Sequence, residues 1–181
     1  MSAVAVLVAD GFETIECLTM VDVLRRGGVR VTLVSIMSTR DAVSSQQIGI
    51  ECDCTFDEVD FDEYDYVVLP GGLPGTTHLR QDQRVCDLVT EFAATRHVAA
   101  ICAAPSILGE LGLLVGRRAT CFPGFEKSFP AGTYAGEKTV VVDGNIITAS
   151  GMGQALPFAL AVLGDIAGEK AVAKVKEGIQ L

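Results

Sequence analysis

The chain is 181 residues long with 49% apolar and 20% charged residues, a composition typical of a globular protein rather than a disordered one. Its formal net charge of −9 opposes binding to nucleic acids and to anionic membranes, and neither partner is expected. We recognise no signal peptide and no apolar run near the roughly 20 residues that span a bilayer. We therefore expect one cytoplasmic domain over residues 1–181, in which most of the six cysteines are free thiols.

Apolar runs and turn residues predict strands that alternate with helices. The predicted strands cover 3–9, 29–36, 48–54, 64–69, 97–102, 139–142 and 146–149, and the predicted helices cover 13–26, 83–95, 106–111, 156–166 and 169–177. Such alternation is typical of an α/β fold with a mostly parallel sheet and helices on both faces. Residues 48–54 are expected at the sheet edge, and Asp143-Gly144-Asn145 turns a hairpin between the last two strands.

The predicted strand 97–102 ends in a cysteine, and a predicted helix follows at once. Ligands of α/β folds bind at the carboxyl ends of parallel strands, and the positive end of a helix favours the reactive thiolate. A strand-to-helix turn exposes its central side chain, as in the nucleophile turn of hydrolases. These features favour Cys102 as a functional thiol over the alternative of a buried core cysteine.

Two further segments follow strands and offer groups that suit thiol chemistry. Gly71 and Gly72 let the backbone approach a ligand closely and can supply oxyanion N–H groups, although an ordinary turn is the alternative. Glu13 is explained as a partner of the first helix dipole, whereas Glu16, one turn later, can point inward. A Glu16 that burial keeps protonated would donate to the thiolate, lower the thiol pKa and carry protons.

Together these segments resemble the ThiJ/PfpI superfamily, and most closely its Parkinson-disease-associated protein deglycase branch. The similarity lies in residues 11–16, 21–28, 64–72, 99–105 and 148–153. The string Ala-Ala-Ile-Cys-Ala-Ala-Pro is specific to that branch, because peptidase-like relatives carry His directly after the cysteine, where this chain has Ala103. The resemblance implies a flavodoxin-like three-layer sandwich, usually a homodimer, that needs no metal and no organic cofactor.

The resemblance also implies a role for each site residue. Cys102 becomes the nucleophile and Glu16 the proton carrier, while the amides of Gly72 and Ala103 hold an oxyanion with Gly71 beside them. Members of the family are known for glyoxalase action on methylglyoxal, for deglycation of proteins and nucleotides, for oxidative-stress sensing and for chaperone-like protection. Their cysteine oxidises readily to the sulfinate.

The chain departs from this pattern near the thiol. Several members carry a histidine where this chain has Phe122, and Asp22, which aligns with the acid that orients that histidine, is expected to be a helix or interface residue. Gln46 and Ser150 stand where some members have anion-binding arginines. We expect slow turnover, because a missing general base costs roughly 10²–10⁴ in rate.

The remaining histidines and thiols are given structural interpretations. His97 begins the strand that ends at the reactive thiol, and at ~3.3 Å per residue it is more than about 15 Å away. His78 is expected at the start of a helix and on the surface. Cys52 and Cys54 are two residues apart and are expected to share one face of an edge strand near a dimer surface. Cys17 is expected in the core.

Three functional hypotheses follow. The first is an enzyme that acts on small dicarbonyls, or on glycated protein side chains, through a Cys102 hemithioacetal. The second is a redox-responsive protective protein in which Cys102 oxidises to sulfenate or sulfinate and alters partner binding. The third, a peptidase or amidotransferase, is disfavoured by the absence of a histidine directly after Cys102.

Overall fold

A computed structural model describes residues 2–137 and 139–181. The strands are β1 (Ala3–Val8), β2 (Arg30–Ser35), β3 (Asp41–Val43), β4 (Gly49–Glu51), β5 (Cys54–Thr55), β6 (Tyr66–Leu69), β7 (His97–Ile101), β8 (Val140–Asp143) and β9 (Ile146–Ala149). The helices are α1 (Thr14–Arg26), α2 (Gly75–Gln81), α3 (Gln83–Thr95), α4 (Pro105–Glu110), α5 (Ala155–Ala167) and α6 (Glu169–Gly178). None of the helices in the described ranges is both long and apolar enough to cross a bilayer.

Seven strands form one sheet in the order β5-β2-β1-β6-β7-β9-β8. All neighbouring pairs are parallel except β8 and β9, which form the antiparallel hairpin that the turn residues predict. The mostly parallel sheet with helices around it confirms the flavodoxin-like α/β fold. Because crossover helices put the carboxyl ends of parallel strands at one edge, the loops after β1, β6 and β7 meet there.

Both faces of the sheet are buried, which explains why the central strands are almost continuously apolar. Alternate β1 side chains point to opposite faces, because successive residues of a strand do so. Val4, Val6 and Val8 join a core with α1, α5 and α6. Ala3, Ala5 and Leu7 join a second core with α3 and α4. The two cores hold the sheet rigidly, so that its carboxyl edge is a stable platform for a site.

One expectation about the chain between β2 and β6 is wrong. The single edge strand expected at 48–54 is two separate elements, because β4 pairs with β3 in a small antiparallel sheet and only β5 reaches the main sheet. Between them Asp53 turns the chain inward, since its carboxylate accepts from Leu33 N at 2.8 Å. Cys52 therefore belongs to the α1 side of the core and Cys54 to the α3 side, not to one face. The helix start that the sequence indicates at His78 belongs to α2, which begins three residues earlier at Gly75.

Candidate active site

The site lies where the loops after β1, β6 and β7 converge. β6 lies between the other two strands, with Val68 opposite both Val6 and Ala99. The loop after β1 and the loop after β6 are joined by a hydrogen bond from Glu13 N to Gly71 O at 2.9 Å. This register places the start of α1, the two glycines and the end of β7 next to one another, as the sequence predicts.

Cys102 adopts a left-handed backbone conformation with φ of 64°. Such a conformation is uncommon for a residue other than glycine and costs of the order of 1–3 kcal/mol, so the surrounding structure must impose it. Two hydrogen bonds do so, because Cys102 N donates to Ala149 O at 2.9 Å and Cys102 O accepts from Phe122 N at 2.8 Å. The strained turn lifts the half-buried thiol out of the sheet toward the loops.

Glu16 lies behind the thiol and is only 1% exposed. It points inward from the first turn of α1, where Glu13 caps the helix by accepting from Glu16 N at 2.6 Å. Glu16 Oε2 accepts from Gly71 N at 2.9 Å, and its carboxyl group also hydrogen-bonds with Cys102. Glu16 Oε1 is buried and has no partner among the described residues, so it is available to the thiol or to a ligand.

Glycine is needed at each of the two positions after β6, for different structural reasons. A Cβ on Gly71 would lie 2.5 Å from Cys102 Cβ and 2.6 Å from Glu16 Oε2, so only glycine lets these two side chains approach each other. Gly72 has φ of 93°, and a Cβ there would meet the backbone of the loop after β1. Its N–H, together with that of Ala103, donates toward the Cys102 sulfur. The structure thus brings together all five predicted site residues.

The thiol and the carboxyl group titrate as a coupled pair. Burial raises the pKa of Glu16 to about 7, with a smaller contribution from Glu13, while hydrogen bonds from Cys102 and Gly71 oppose the rise. Burial and the Glu16 charge raise the pKa of the Cys102 thiol to about 12, although the amides of Ala103 and Gly72 lower it. The expected lowering of the thiol pKa applies to a protonated Glu16, and it stays a prediction. A protonated Glu16 would donate to the sulfur and favour the thiolate instead.

An open cleft of about 260 Å³ leads from solvent to the thiol. Its lining consists of loop residues from five segments, namely Glu13, Ser45, Gln46, Gly72, Leu73, Cys102, Ala103, Phe122 and Phe125. Sequence reasoning did not identify Ser45, Leu73 or Phe125 as site residues, and it explained Glu13 by the helix dipole alone. Phe125 lies in an irregular segment without any periodicity, so only the three-dimensional path of the chain reveals it.

The remaining residues that the sequence analysis considered lie inside the cleft or away from it. Phe122 lines the cleft and is 48% exposed, so an apolar ring stands where several family members carry a histidine. His78 lies on α2, outside the cleft lining, with Nδ1 2.9 Å from Asp10 O. His97 lies at the opposite edge of the sheet. Asp22 forms an exposed ion pair with Arg26 at 2.7 Å, on the outer face of α1.

Within residues 2–137 and 139–181, no group of three or more His, Cys, Asp or Glu side chains is arranged to hold a metal ion. The cleft lining offers one carboxylate and one thiol besides uncharged groups. The chemistry that these residues support is therefore that of a nucleophilic sulfur next to a proton carrier and two backbone donors. That the protein works without a cofactor remains a prediction.

Comparison with known proteins shows the family of the chain. The model of the DJ-1/PfpI family matches residues 2–165. The chain belongs to the DJ-1/PfpI family. It is 36% identical to protein dj-1beta of Drosophila melanogaster over 176 residues, which cover 96% of this chain and 94% of that protein. It is 33% identical to the Parkinson disease protein 7 homolog of Danio rerio, with coverage of 94% and 93%.

Solved structures of the family have the same fold. The crystal structure of Drosophila melanogaster DJ-1beta matches with a TM-score of 0.94 and 35% identity, covering 100% of this chain and 99% of that one. Oxidized Toxoplasma gondii DJ-1 matches with a TM-score of 0.94 and 31% identity, covering 99% and 98%. These similarities place the chain in the DJ-1 branch that its motifs resemble, and they support a DJ-1-like stress protein.

Proposed function

We propose that the protein is a cysteine-dependent glyoxalase or protein deglycase that acts on methylglyoxal, glyoxal or their adducts on protein side chains. The observation that supports this best is the left-handed Cys102, which presents its thiol between the Glu16 carboxyl group and the N–H groups of Gly72 and Ala103. A nucleophile, a proton carrier and two oxyanion donors are the groups that such a reaction needs.

In the first step the Cys102 sulfur attacks the aldehyde carbon of methylglyoxal, and the thiol proton passes to the Glu16 carboxylate. A C–S bond forms, the carbonyl π bond breaks, and the oxygen becomes negative where the Gly72 and Ala103 amides face it. Glu16 then returns the proton to this oxygen, which leaves a hemithioacetal. A pKa of about 7 lets Glu16 accept and donate protons near neutral pH.

In the second step the Glu16 carboxylate removes the proton from the former aldehyde carbon, and the electron pair moves onto the ketone oxygen to give an enediolate. Glu16 delivers this proton to the adjacent carbon while the hydroxyl proton of the first carbon passes to the neighbouring oxygen, which produces a lactate thioester on Cys102. Water then cleaves the C–S bond and releases lactate and the thiol. Methylglyoxal plus water equals lactic acid, so the reaction needs no oxidant or reductant. Because Phe122 provides no base, Glu16 alone moves the protons, and turnover is slow.

The test is to mix the reduced protein with methylglyoxal and to follow lactate. We expect Cys102→Ser to abolish lactate formation, and we expect Glu16→Gln to reduce the rate by roughly 10²–10⁴ because it removes the acid and base that this mechanism uses. Cys54→Ser is the matched control, since Cys54 is a partly exposed thiol on β5 outside the cleft. Lactate formation that persists in Cys102→Ser would rule out this mechanism.

A second candidate function is a redox-responsive stress protein with little turnover. In this function Cys102 reacts with a peroxide to form sulfenate and water, and a second peroxide gives the sulfinate. The buried Glu16 Oε1 without a partner and the two amides at the sulfur support it, because they can bond the new oxygens. The Toxoplasma gondii relative was solved in an oxidized form. After mild peroxide, peptide mass spectrometry should find two oxygen atoms on Cys102 first; earlier oxidation of Cys54 would contradict this function.

We also propose that two copies form a homodimer in the cytoplasm, where thiols stay reduced. Three exposed apolar side chains support a dimer surface, namely Ile15 on α1, Val43 on β3 and Ile48 before β4. Helix α1 and strand β3 lie next to each other, because Gly11 N, just before α1, donates to Val43 O at 2.7 Å. Sedimentation equilibrium of the wild type and of Ile15→Glu tests this surface. We expect a dimer for the wild type and dissociation to the monomer for the variant.

A further inference from the structure

The charged groups around the Cys102 thiol have one sign. Of the residues that line the cleft, Glu13 is the one with an ordinarily charged side chain, and no Lys, Arg or His belongs to the lining within the described residues. Glu16, directly behind the thiol, is the next ionisable group. A small ligand that enters the cleft therefore meets one carboxylate at the wall and a second at the base.

Structural contacts hold the Glu13 carboxylate at this wall. Its Oε2 accepts from Glu16 N at 2.6 Å, and its own N–H donates to Gly71 O at 2.9 Å. The positive ends of α1 and α4 each amount to about half an elementary charge, so the Glu13 carboxylate offsets them. With Glu16 ionised as well, the cleft has a net negative charge even though two helices begin at it.

Two arginines on segments that lead to the cleft are paired with carboxylates elsewhere. Arg40, which precedes the hairpin with Ser45 and Gln46, pairs with Glu58 at 2.9 Å. Arg117, on the segment that leads to Phe122, lies 3.8 Å from Asp143. The formal charge of the whole chain is −9, so the long-range field has the same sign as the cleft.

Apolar and aromatic groups complete the walls. Leu73 is 54% exposed at the mouth, and the rings of Phe122 and Phe125 form another wall. Aromatic faces attract ammonium and guanidinium groups, and a carboxylate close by adds to this attraction. Phe122 also borders a neighbouring cleft of about 350 Å³, which leaves room for a carrier larger than the aldehyde itself. A long aliphatic side chain with a positive end suits such walls.

From this arrangement we infer that the Cys102 cleft admits carbonyl compounds on neutral or cationic carriers and excludes anionic ones, with Glu13 as the specificity-determining residue. The inference rests on the proposed function for the reaction itself. The favoured substrates are a neutral dicarbonyl and its adducts on arginine or lysine side chains. The disfavoured ones are aldehydes that bear a carboxylate, such as glyoxylate.

The sharpest test needs no turnover. Two methanethiosulfonates of similar size, one with a trimethylammonium group and one with a sulfonate group, react with Cys102 to form a mixed disulfide and release the same sulfinate. Peptide mass spectrometry follows Cys102 alone, and the rates are divided by those of a small free thiol. We expect the cationic reagent to react about tenfold faster, and we expect Glu13→Gln to remove most of this preference.

Two variants make the result specific. Glu13→Asp keeps the charge and should retain the preference, whereas Glu177→Gln removes an exposed charge on α6 and should leave it unchanged. A wild-type ratio near one, or an equal ratio in Glu13→Gln and Glu177→Gln, would overturn the inference. In parallel, kcat/KM is compared for methylglyoxal and glyoxylate. Absence of lactate would refute the proposed function alone, because the disulfide reaction still reports the charge preference.

Discussion

The carboxyl edge of the sheet, where the parallel strands end, and its amino edge, where they begin, carry similar groups. The two differ in how the backbone holds these groups. At the carboxyl edge Cys102 and Glu16 border a cleft of about 260 Å³. At the amino edge Tyr66, His97 and Asp165 border a cleft of about 280 Å³. There the Tyr66 hydroxyl donates to Asp165, His97 Nδ1 lies 3.2 Å from Asp165 Oδ2, and the Tyr66 and His97 rings stack at 4.6 Å.

Cavity size and titratable groups therefore do not distinguish the edges, and each edge has a buried side-chain atom without a hydrogen-bond partner among the described residues, Glu16 Oε1 and His97 Nδ1. Backbone strain and the close approach of side chains do distinguish them. The carboxyl edge has a left-handed cysteine, a glycine whose Cβ would overlap two side chains, and two amides that face one sulfur. The amino-edge side chains bond mainly to one another and tie α5 to the sheet. The comparison indicates a reactive site at one edge and a structural contact at the other.

The largest expected effect concerns the stability cost of Glu16. Its pKa rises from an ordinary 4.5 to about 7 in the folded protein, so the folded state binds more protons than the unfolded state between these values. The stability due to protonated Glu16 is complete below about pH 4.5 and is lost as the pH rises through about 7. Relative to Glu16→Gln, the wild type should lose up to about 3 kcal/mol over this range.

Urea unfolding at about pH 4.5, 6 and 8 measures this difference. Glu177→Gln, an exposed change on α6, serves as the control and should follow the wild type at each pH. Parallel pH profiles of wild type and Glu16→Gln would show that Glu16 is ionised as easily as in the unfolded chain. In that event the carboxyl edge would not hold a perturbed proton, and the contrast between the edges would weaken.

The next effect concerns the close approach that Gly71 permits. In Gly71→Ala the new Cβ meets Cys102 Cβ at 2.5 Å and Glu16 Oε2 at 2.6 Å, so the thiol and the carboxyl group must separate. We expect alkylation of Cys102 by iodoacetamide, or lactate formation, to change by about a hundredfold, since a displacement near 1 Å has such an effect. Gly153→Ala, where a Cβ meets nothing within 4 Å, should react as the wild type does.

The fold was largely predictable from the sequence because burial of both sheet faces produces recognisable apolar runs. Strands such as β1 and β7 were identified in this way. The strand at residues 41–43 was missed, and the helix at 75–81 was indicated only by its start near His78, because the strand pairing and the extent of the helix depend on contacts with distant segments. Between β4 and β5 the weak alternation hid a turn at Asp53. The Asp53 side chain stabilises this turn by accepting a hydrogen bond from Leu33 N, which is 20 residues away in the sequence.

The candidate site was predictable in its residues but not in its electrostatics. Cys102 and Glu16 were found because each follows a predicted strand, and strand ends share one edge. The sequence cannot show how closely Gly71 lets the Cys102 and Glu16 side chains approach each other. It also cannot show that burial and the Glu16 charge affect the thiol pKa more strongly than the two amides do. The role of Glu13 as a cleft wall was hidden, because a helix cap explains the same residue.

The smallest expected effect tests the amino edge. Tyr66→Phe removes the hydroxyl that donates to Asp165, and we expect it to lower the free energy of unfolding by about 1–2 kcal/mol. Tyr64→Phe removes a comparable bond, that from the Tyr64 hydroxyl to Thr32 Oγ1 at 2.8 Å, and should cost a similar amount. Neither change should alter Cys102 alkylation by more than about twofold, because both lie at the far end of the sheet. A tenfold change in Tyr66→Phe alone would mean that the two edges are coupled through β6 and β7, and the amino edge would then be part of the functional machinery.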